Sequence, residues 1–92
     1  MAPSAEFTKA AEDSKKLKQT PTNDELLELY ALYKIGNAED FEKATKPGMF
    51  DLKGKAKYSA WEKEVKAGTT AADAQTKYVA KVKELQGKYG SQ

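Results

Sequence analysis

Lysines stand where the helical period calls for apolar residues, and they are the residues in this chain best equipped for chemistry. Laid out at about 100° per residue, Lys34 falls between Tyr30 and Leu27, and Lys57 falls between Gly54 and Trp61. Each lysine is one helical turn from an aromatic, Tyr30 for Lys34 and Trp61 for Lys57, and Lys53 stands a further turn back from Lys57. Ammonium groups beside aromatic faces suit a ligand with a planar ring and phosphates: the ring stacks, and the phosphates take charge-assisted hydrogen bonds. A plainer reading competes with this one. Long lysine stems lie along apolar surface while their heads reach water, and Tyr30, Tyr33, Tyr78 and Trp61 at helical spacing also serve as core or boundary residues. Lys15, Lys16 and Lys18 read most simply as the solvated end of a helix, favourable toward its C-terminal dipole. Spacing alone leaves function open.

Composition removes much else. The chain has 92 residues with no cysteine and no histidine. That excludes disulfide stapling, thiolate zinc sites, imidazole general bases and every Cys-His or Ser-His-Asp arrangement. The carboxylates Glu25, Glu28, Glu39, Asp40, Glu42, Glu62 and Glu64 are spread over solvent faces and caps, with no pair singled out as acid and base. Neither a nucleophile elbow, a Walker loop nor a Rossmann fingerprint is present. Sixteen basic and 14 acidic residues nearly cancel to +2, so no strong field draws the chain to nucleic acid. Met1 to Lys9 has no apolar run fit for a signal peptide, and no stretch approaches the roughly 20 apolar residues that span a bilayer. A soluble, monomeric, cytoplasmic chain forming one domain over residues 1–92 is expected, and the lack of cysteine fits a reducing compartment.

Helices must position these lysines. Four segments carry helical periodicity, separated by Pro and Gly, and no period-2 alternation long enough for a strand occurs. The first, from Ser4 to Leu17, lines up Phe7, Ala10, Ala11, Ser14 and Leu17 on a thin apolar face. The second opens at Pro21-Thr22-Asn23-Asp24-Glu25, where Thr22 and Glu25 form a capping box, and stops at Gly36 as a left-handed C-terminal residue. Its apolar band, Leu26, Leu27, Leu29, Tyr30, Leu32 and Tyr33, is broad enough to touch partners on two sides. A connection follows from Asn37 to Gly48, pinned by Phe41 and closed by a tight turn at Pro47-Gly48. The third, Asp51 to Lys66, places Gly54, Tyr58, Trp61 and Val65 on one face; the fourth opens at Thr70, with Asp73 three residues on, and repeats Ala71, Ala74, Tyr78, Val82, Leu85 and Tyr89. The fold class expected is all-α, a four-helix bundle.

Two stretches are distinctive. Leu26-Leu27-Glu28-Leu29-Tyr30-Ala31-Leu32-Tyr33-Lys34 and Lys46-Pro47-Gly48-Met49-Phe50-Asp51-Leu52-Lys53-Gly54-Lys55-Ala56-Lys57-Tyr58-Ser59-Ala60-Trp61 resemble the signature segments of the acyl-CoA-binding proteins. Phe7-Thr8-Lys9-Ala10-Ala11 near the start and Asp73-Ala74 through Tyr78 to Lys88-Tyr89-Gly90 near the end extend the resemblance over nearly the whole chain. It implies an up-down-down-up bundle that carries long-chain acyl-CoA, has no cofactor, and is not an enzyme. It also implies roles. Tyr30, Tyr33, Lys34, Lys53 and Lys57 would contact the coenzyme A head, Lys15 would add charge near the phosphates, and Tyr78 would close the site; Phe7, Ala10, Ala11 and Leu27 would line the acyl chain. The chain departs from the family after Lys34, where Ile35-Gly36-Asn37-Ala38-Glu39-Asp40-Phe41 is slightly longer than usual, at Tyr58, where tryptophan is common, and in extra residues around Val65 to Thr69. Contact with a membrane surface or with acyl-CoA-using enzymes would accompany carriage. In the rival reading, a protein-interaction module, the Leu29/Leu32 side of the second helix would be the docking face.

Overall fold

In a computed structural model of the protein, which describes residues 4–91, every long helix begins on a side-chain oxygen. These helices are α1 (Ala5–Asp13), α2 (Asn23–Gly36), α3 (Leu52–Lys66) and α4 (Ala71–Tyr89). Ser4 accepts the Phe7 N–H at 3.1 Å, Asp51 the Gly54 N–H at 2.9 Å, and Thr70 the Asp73 N–H at 3.1 Å. At α2 the capping box is complete: Thr22 Oγ1 accepts from Glu25 N at 3.2 Å and Glu25 Oε1 accepts from Thr22 N at 2.9 Å. Such caps satisfy donors that would otherwise be left without partners in the first turn, each contributing about 1 kcal/mol.

Long-range hydrogen bonds fix the directions. Lys88 and Tyr89, at the end of α4, donate to Glu25 at the start of α2, while Gln75 near the start of α4 donates to the Gly36 carbonyl at the end of α2 at 2.8 Å. Helices α2 and α4 are therefore antiparallel. Ser4 N donates to Gln75 Oε1 at 3.0 Å, and beyond the other ends Leu17 bridges Ser91, so α1 and α4 run parallel. Helix α3 lies along α2 in the same sense, Ala60 beside Leu27 and Val65 beside Ile35. The arrangement is up-down-down-up and all-α, with α2 packed on both α3 and α4. Phe7, Leu32, Val82 and Leu85 form the centre of the core.

Several details differ from the periodic expectation. Helix α1 ends at Asp13 and tightens into a 3₁₀ turn, Ser14–Lys16, after which Leu17 turns extended. Leaving the helix lets Leu17 enter the core while Lys18 N–H bonds the Gly90 carbonyl at 3.0 Å. Gly36 is not a left-handed terminator. It is buried inside the last turn of α2, where a Cβ would stand 2.7 Å from Phe7 Cζ, and the left-handed residue is Ala38, with φ of 58°. The tight turn falls just beyond Pro47, from Gly48 to Asp51, closed by Asp51 N–H to Gly48 carbonyl at 3.1 Å. Val65 is exposed rather than on the buried face of α3. Leu29 and Leu32 are only 6% and 2% exposed, packed in the core, so the docking face of the interaction-module reading does not exist as a surface. Among the described residues no helix is long and apolar enough to cross a membrane.

Candidate ligand site

Helix α2 contributes Tyr30 and Lys34, one turn apart, and α3 contributes Gly54, Lys57, Tyr58 and Trp61, to a cavity of about 590 Å³ that the connection between the two helices closes on a third side. The two lysines converge although they lie on different helices. Lys34 Nζ is 5.6 Å and Lys57 Nζ 5.4 Å from the centre of the Tyr30 ring, and Lys34 Nζ is also 5.7 Å from the Trp61 ring. Both cations are thus within cation-π range of a shared aromatic floor.

That floor is held rigid from behind. Phe41, in the 3₁₀ turn Phe41–Lys43, packs against Tyr58 with centres 4.7 Å apart and the rings tilted by 43°, and meets Trp61 edge-on at 5.1 Å and 78°. Trp61 is buried, and its indole N–H, itself shut off from solvent, has no acceptor within the described residues. A buried donor of this kind costs about 1–3 kcal/mol unless another partner meets it.

Charge in the cavity is weighted toward cations. Lys34, Lys43, Lys46 and Lys57 line it together with Glu39, Asp40 and Asp51. All three acids are engaged: Glu39 pairs with Lys34 at 3.1 Å, Asp40 accepts the Glu42 N–H at 3.0 Å, and Asp51 caps α3. Among the described residues Lys43, Lys46 and Lys57 form no ion pair. The arrangement is able to take an anion with several oxygens beside a planar ring.

A second cluster stands on the α1 side of α2. Phe7, Tyr33 and Tyr78 form an aromatic triangle with centre distances of 5.7 Å for Phe7–Tyr33, 5.1 Å for Phe7–Tyr78 and 5.9 Å for Tyr33–Tyr78. Tyr78 is buried, its hydroxyl donating to Ser14 Oγ at 3.3 Å, and burial pushes its phenol above the usual tyrosine range. Lys15 follows Ser14 directly and is exposed, while Tyr33 keeps 40% of its surface in solvent.

Of the residues singled out from the sequence, Tyr30, Lys34 and Lys57 meet in the cavity; Tyr33, Tyr78 and Phe7 meet in the aromatic triangle. Lys53 is exposed on α3 and does not line the cavity. Ala10 lines a separate groove between α1 and α4 with Val79 and Val82; half-buried Ala11 packs on the core nearby; Leu27 lines another hollow, with Ala31 and Ala60. Sequence reasoning missed Lys43, Lys46 and the Glu39 bridge. The signal for the two lysines was their place in the connection bordering Lys34, which periodicity does not score.

A helical bundle with a lysine-walled cavity over an aromatic floor defines a binding protein for an anionic, ring-bearing ligand. The model of the family described as "Acyl CoA binding protein" matches residues 4–82, and the chain belongs to the acyl-CoA-binding protein family. It is 56% identical over 85 residues to the Acyl-CoA-binding protein homolog 1 of Caenorhabditis elegans, spanning 92% of this chain and 95% of that one. It is 48% identical over 87 residues to the Acyl-CoA-binding protein homolog of Manduca sexta, spanning 95% and 94%. The crystal structure of Oryza sativa Acyl-CoA-Binding Protein 2 matches its fold with a TM-score of 0.77 at 35% identity, over 90% of this chain and 89% of that chain.

Proposed function

We propose that the protein binds long-chain fatty acyl esters of coenzyme A and carries them as a cytoplasmic pool for lipid metabolism, leaving the thioester intact and needing no cofactor. The observation that carries this reading is the convergence of Lys34 and Lys57 on the Tyr30 ring at the cavity between α2 and α3. Coenzyme A brings an adenine ring to stack and phosphates for the ammonium groups. Each lysine-phosphate hydrogen bond contributes about 1.5–3 kcal/mol, and such contacts separate the coenzyme A ester from a free fatty acid.

Tyr33, Lys53, Lys15 and Tyr78 complete the head site in this reading, and Phe7, Ala10, Ala11 and Leu27 serve the acyl chain. Burial of about fifteen methylenes at roughly 0.8 kcal/mol each sets an upper bound near 12 kcal/mol, before the cost of ordering chain and ligand. The tail then supplies bulk affinity and the head supplies discrimination. A chain without cysteine or histidine, whose cavity carboxylates are occupied by caps and an ion pair, favours carriage over thioester chemistry.

Incubation with palmitoyl-CoA, read by native mass spectrometry and by release of free thiol, tests both halves of the proposal. The expected result is a one-to-one adduct of intact thioester with thiol release no faster than in buffer. Absence of the adduct contradicts binding, and protein-dependent thiol release contradicts simple carriage.

A further inference from the structure

The end of α2 folds back onto one of the two lysines that meet over Tyr30. Ala38 N–H donates to the Ile35 carbonyl at 2.8 Å, and Glu39 N–H donates to the Lys34 carbonyl at 3.1 Å. With Asn37 as the cap and Ala38 left-handed at φ 58°, these two bonds make a Schellman motif. Such a motif lays the residue after the left-handed one against the residue five positions earlier, and the pair that meets there is commonly apolar. Here the pair is Glu39 and Lys34, and their side chains form an ion pair at 3.1 Å.

The motif is weak at two points. Glycine commonly takes the left-handed place because it has no Cβ, and among the described residues Ala38 is the one non-glycine with positive φ. Alanine lowers the population of the folded-back form by about tenfold relative to glycine. The ion pair that clasps it is partly exposed, and pairs of that kind hold weakly. A second arrangement, with Glu39 swung away, is therefore within thermal reach. Beyond the hinge the chain is anchored again, since Asp40 caps the Glu42 N–H at 3.0 Å and Phe41 packs on Tyr58 and Trp61. Movement is confined to Ala38 and Glu39. Both members of the clasp line the cavity, so its state decides whether Lys34 is free for an anion.

We infer that the end of α2 is an autoinhibitory latch: Glu39 occupies Lys34 in place of a ligand phosphate, and ligand binding releases it as Ala38 leaves the left-handed conformation. The latch is a property of the ligand-free chain; what opens it rests on the function proposed above. Apparent affinity is lowered by the fraction of molecules latched. By reciprocity the ligand loosens the end of α2.

Amide hydrogen exchange at positions 38 and 39, together with titration by palmitoyl-CoA, tests this in Ala38→Gly, in Glu39→Gln and in the double variant. In the ligand-free chain Ala38→Gly relieves the hinge, slows exchange at both amides and raises the melting temperature, while Glu39→Gln speeds exchange. Ala38→Gly weakens palmitoyl-CoA binding by about fivefold although the protein is more stable. Adding Glu39→Gln restores binding to that of Glu39→Gln alone, because a firm hinge without the carboxylate blocks nothing. Palmitoyl-CoA speeds exchange at both amides of the wild type. A more stable Ala38→Gly that binds as tightly as wild type, a double variant as weak as Ala38→Gly, unchanged exchange in Glu39→Gln, or amides that exchange no faster in the loaded protein would overturn the inference. The expected exchange changes in the ligand-free variants, with no palmitoyl-CoA binding by any chain, would instead reject the proposed ligand and leave the latch intact.

Discussion

Lys57 on α3 holds its ammonium 5.4 Å from the centre of the Tyr30 ring on α2, without an ion pair among the described residues. Its stem is exposed and the core does not depend on it. Lys57→Ala is therefore expected to weaken palmitoyl-CoA binding by about 1.5–3 kcal/mol, one charge-assisted contact, while the melting temperature stays near wild type. Unchanged affinity would remove Lys57 from the site.

Glu39 competes with the ligand for Lys34. The pair is 3.1 Å apart, with the lysine side chain 26% and the glutamate 41% exposed, so the bridge itself contributes little to stability. Glu39→Gln should tighten binding of the coenzyme A ester a few-fold, within the 0–1 kcal/mol typical of such pairs, and steepen its loss with salt. Weaker binding in that variant would mean that Glu39 orients Lys34 for the ligand.

The absence of a side chain at Gly36 is a packing requirement. Gly36→Ala drives a methyl to 2.7 Å from Phe7 Cζ and 3.2 Å from Gln75 Cγ, so the variant should lose about 1–3 kcal/mol by overpacking. Phe7→Leu, destabilising alone, should offset part of that loss in the double variant, seen as non-additive denaturation midpoints. Additive losses would place the strain elsewhere.

At one end of the bundle the start of α2 is tied to the end of α4 by Glu25. The Tyr89 hydroxyl donates to it at 2.5 Å, and with the Thr22 backbone and Lys88 holds its carboxyl at about 2, against an ordinary 4.5. Because the folded value lies below the unfolded one, this stabilisation is present above pH 4.5 and is lost as pH falls toward 2. Melting temperature should fall across that interval more steeply in the wild type than in Glu25→Gln. Parallel curves would show that Glu25 is not linked to folding.

What was legible in the sequence was local. Thr22 with Glu25, and Thr70 with Asp73, are caps that need only neighbours in sequence, and they form as read. Rows such as Ala74, Tyr78, Val82 and Leu85 lie on one helix and are buried together. Contacts between elements were not legible. Gly36 reads as a terminator until Phe7 is brought against it from a different helix, and Leu17 reads as helical until Ser91 pairs with it. The site divided along the same line. Tyr30 with Lys34 is a one-turn pair visible in the spacing, whereas the approach of Lys57 to the same ring depends on how α3 lies on α2, and Lys43 and Lys46 lie in a connection without a period.

Calorimetric titration with palmitoyl-CoA, with coenzyme A and palmitate as controls, tests the central claim most directly. The account requires tight one-to-one binding of the thioester and much weaker binding of either half, because the lysines around Tyr30 select the head while the tail adds affinity. Palmitate binding as tightly as its coenzyme A ester, or a folded protein that binds none of the three, would contradict it.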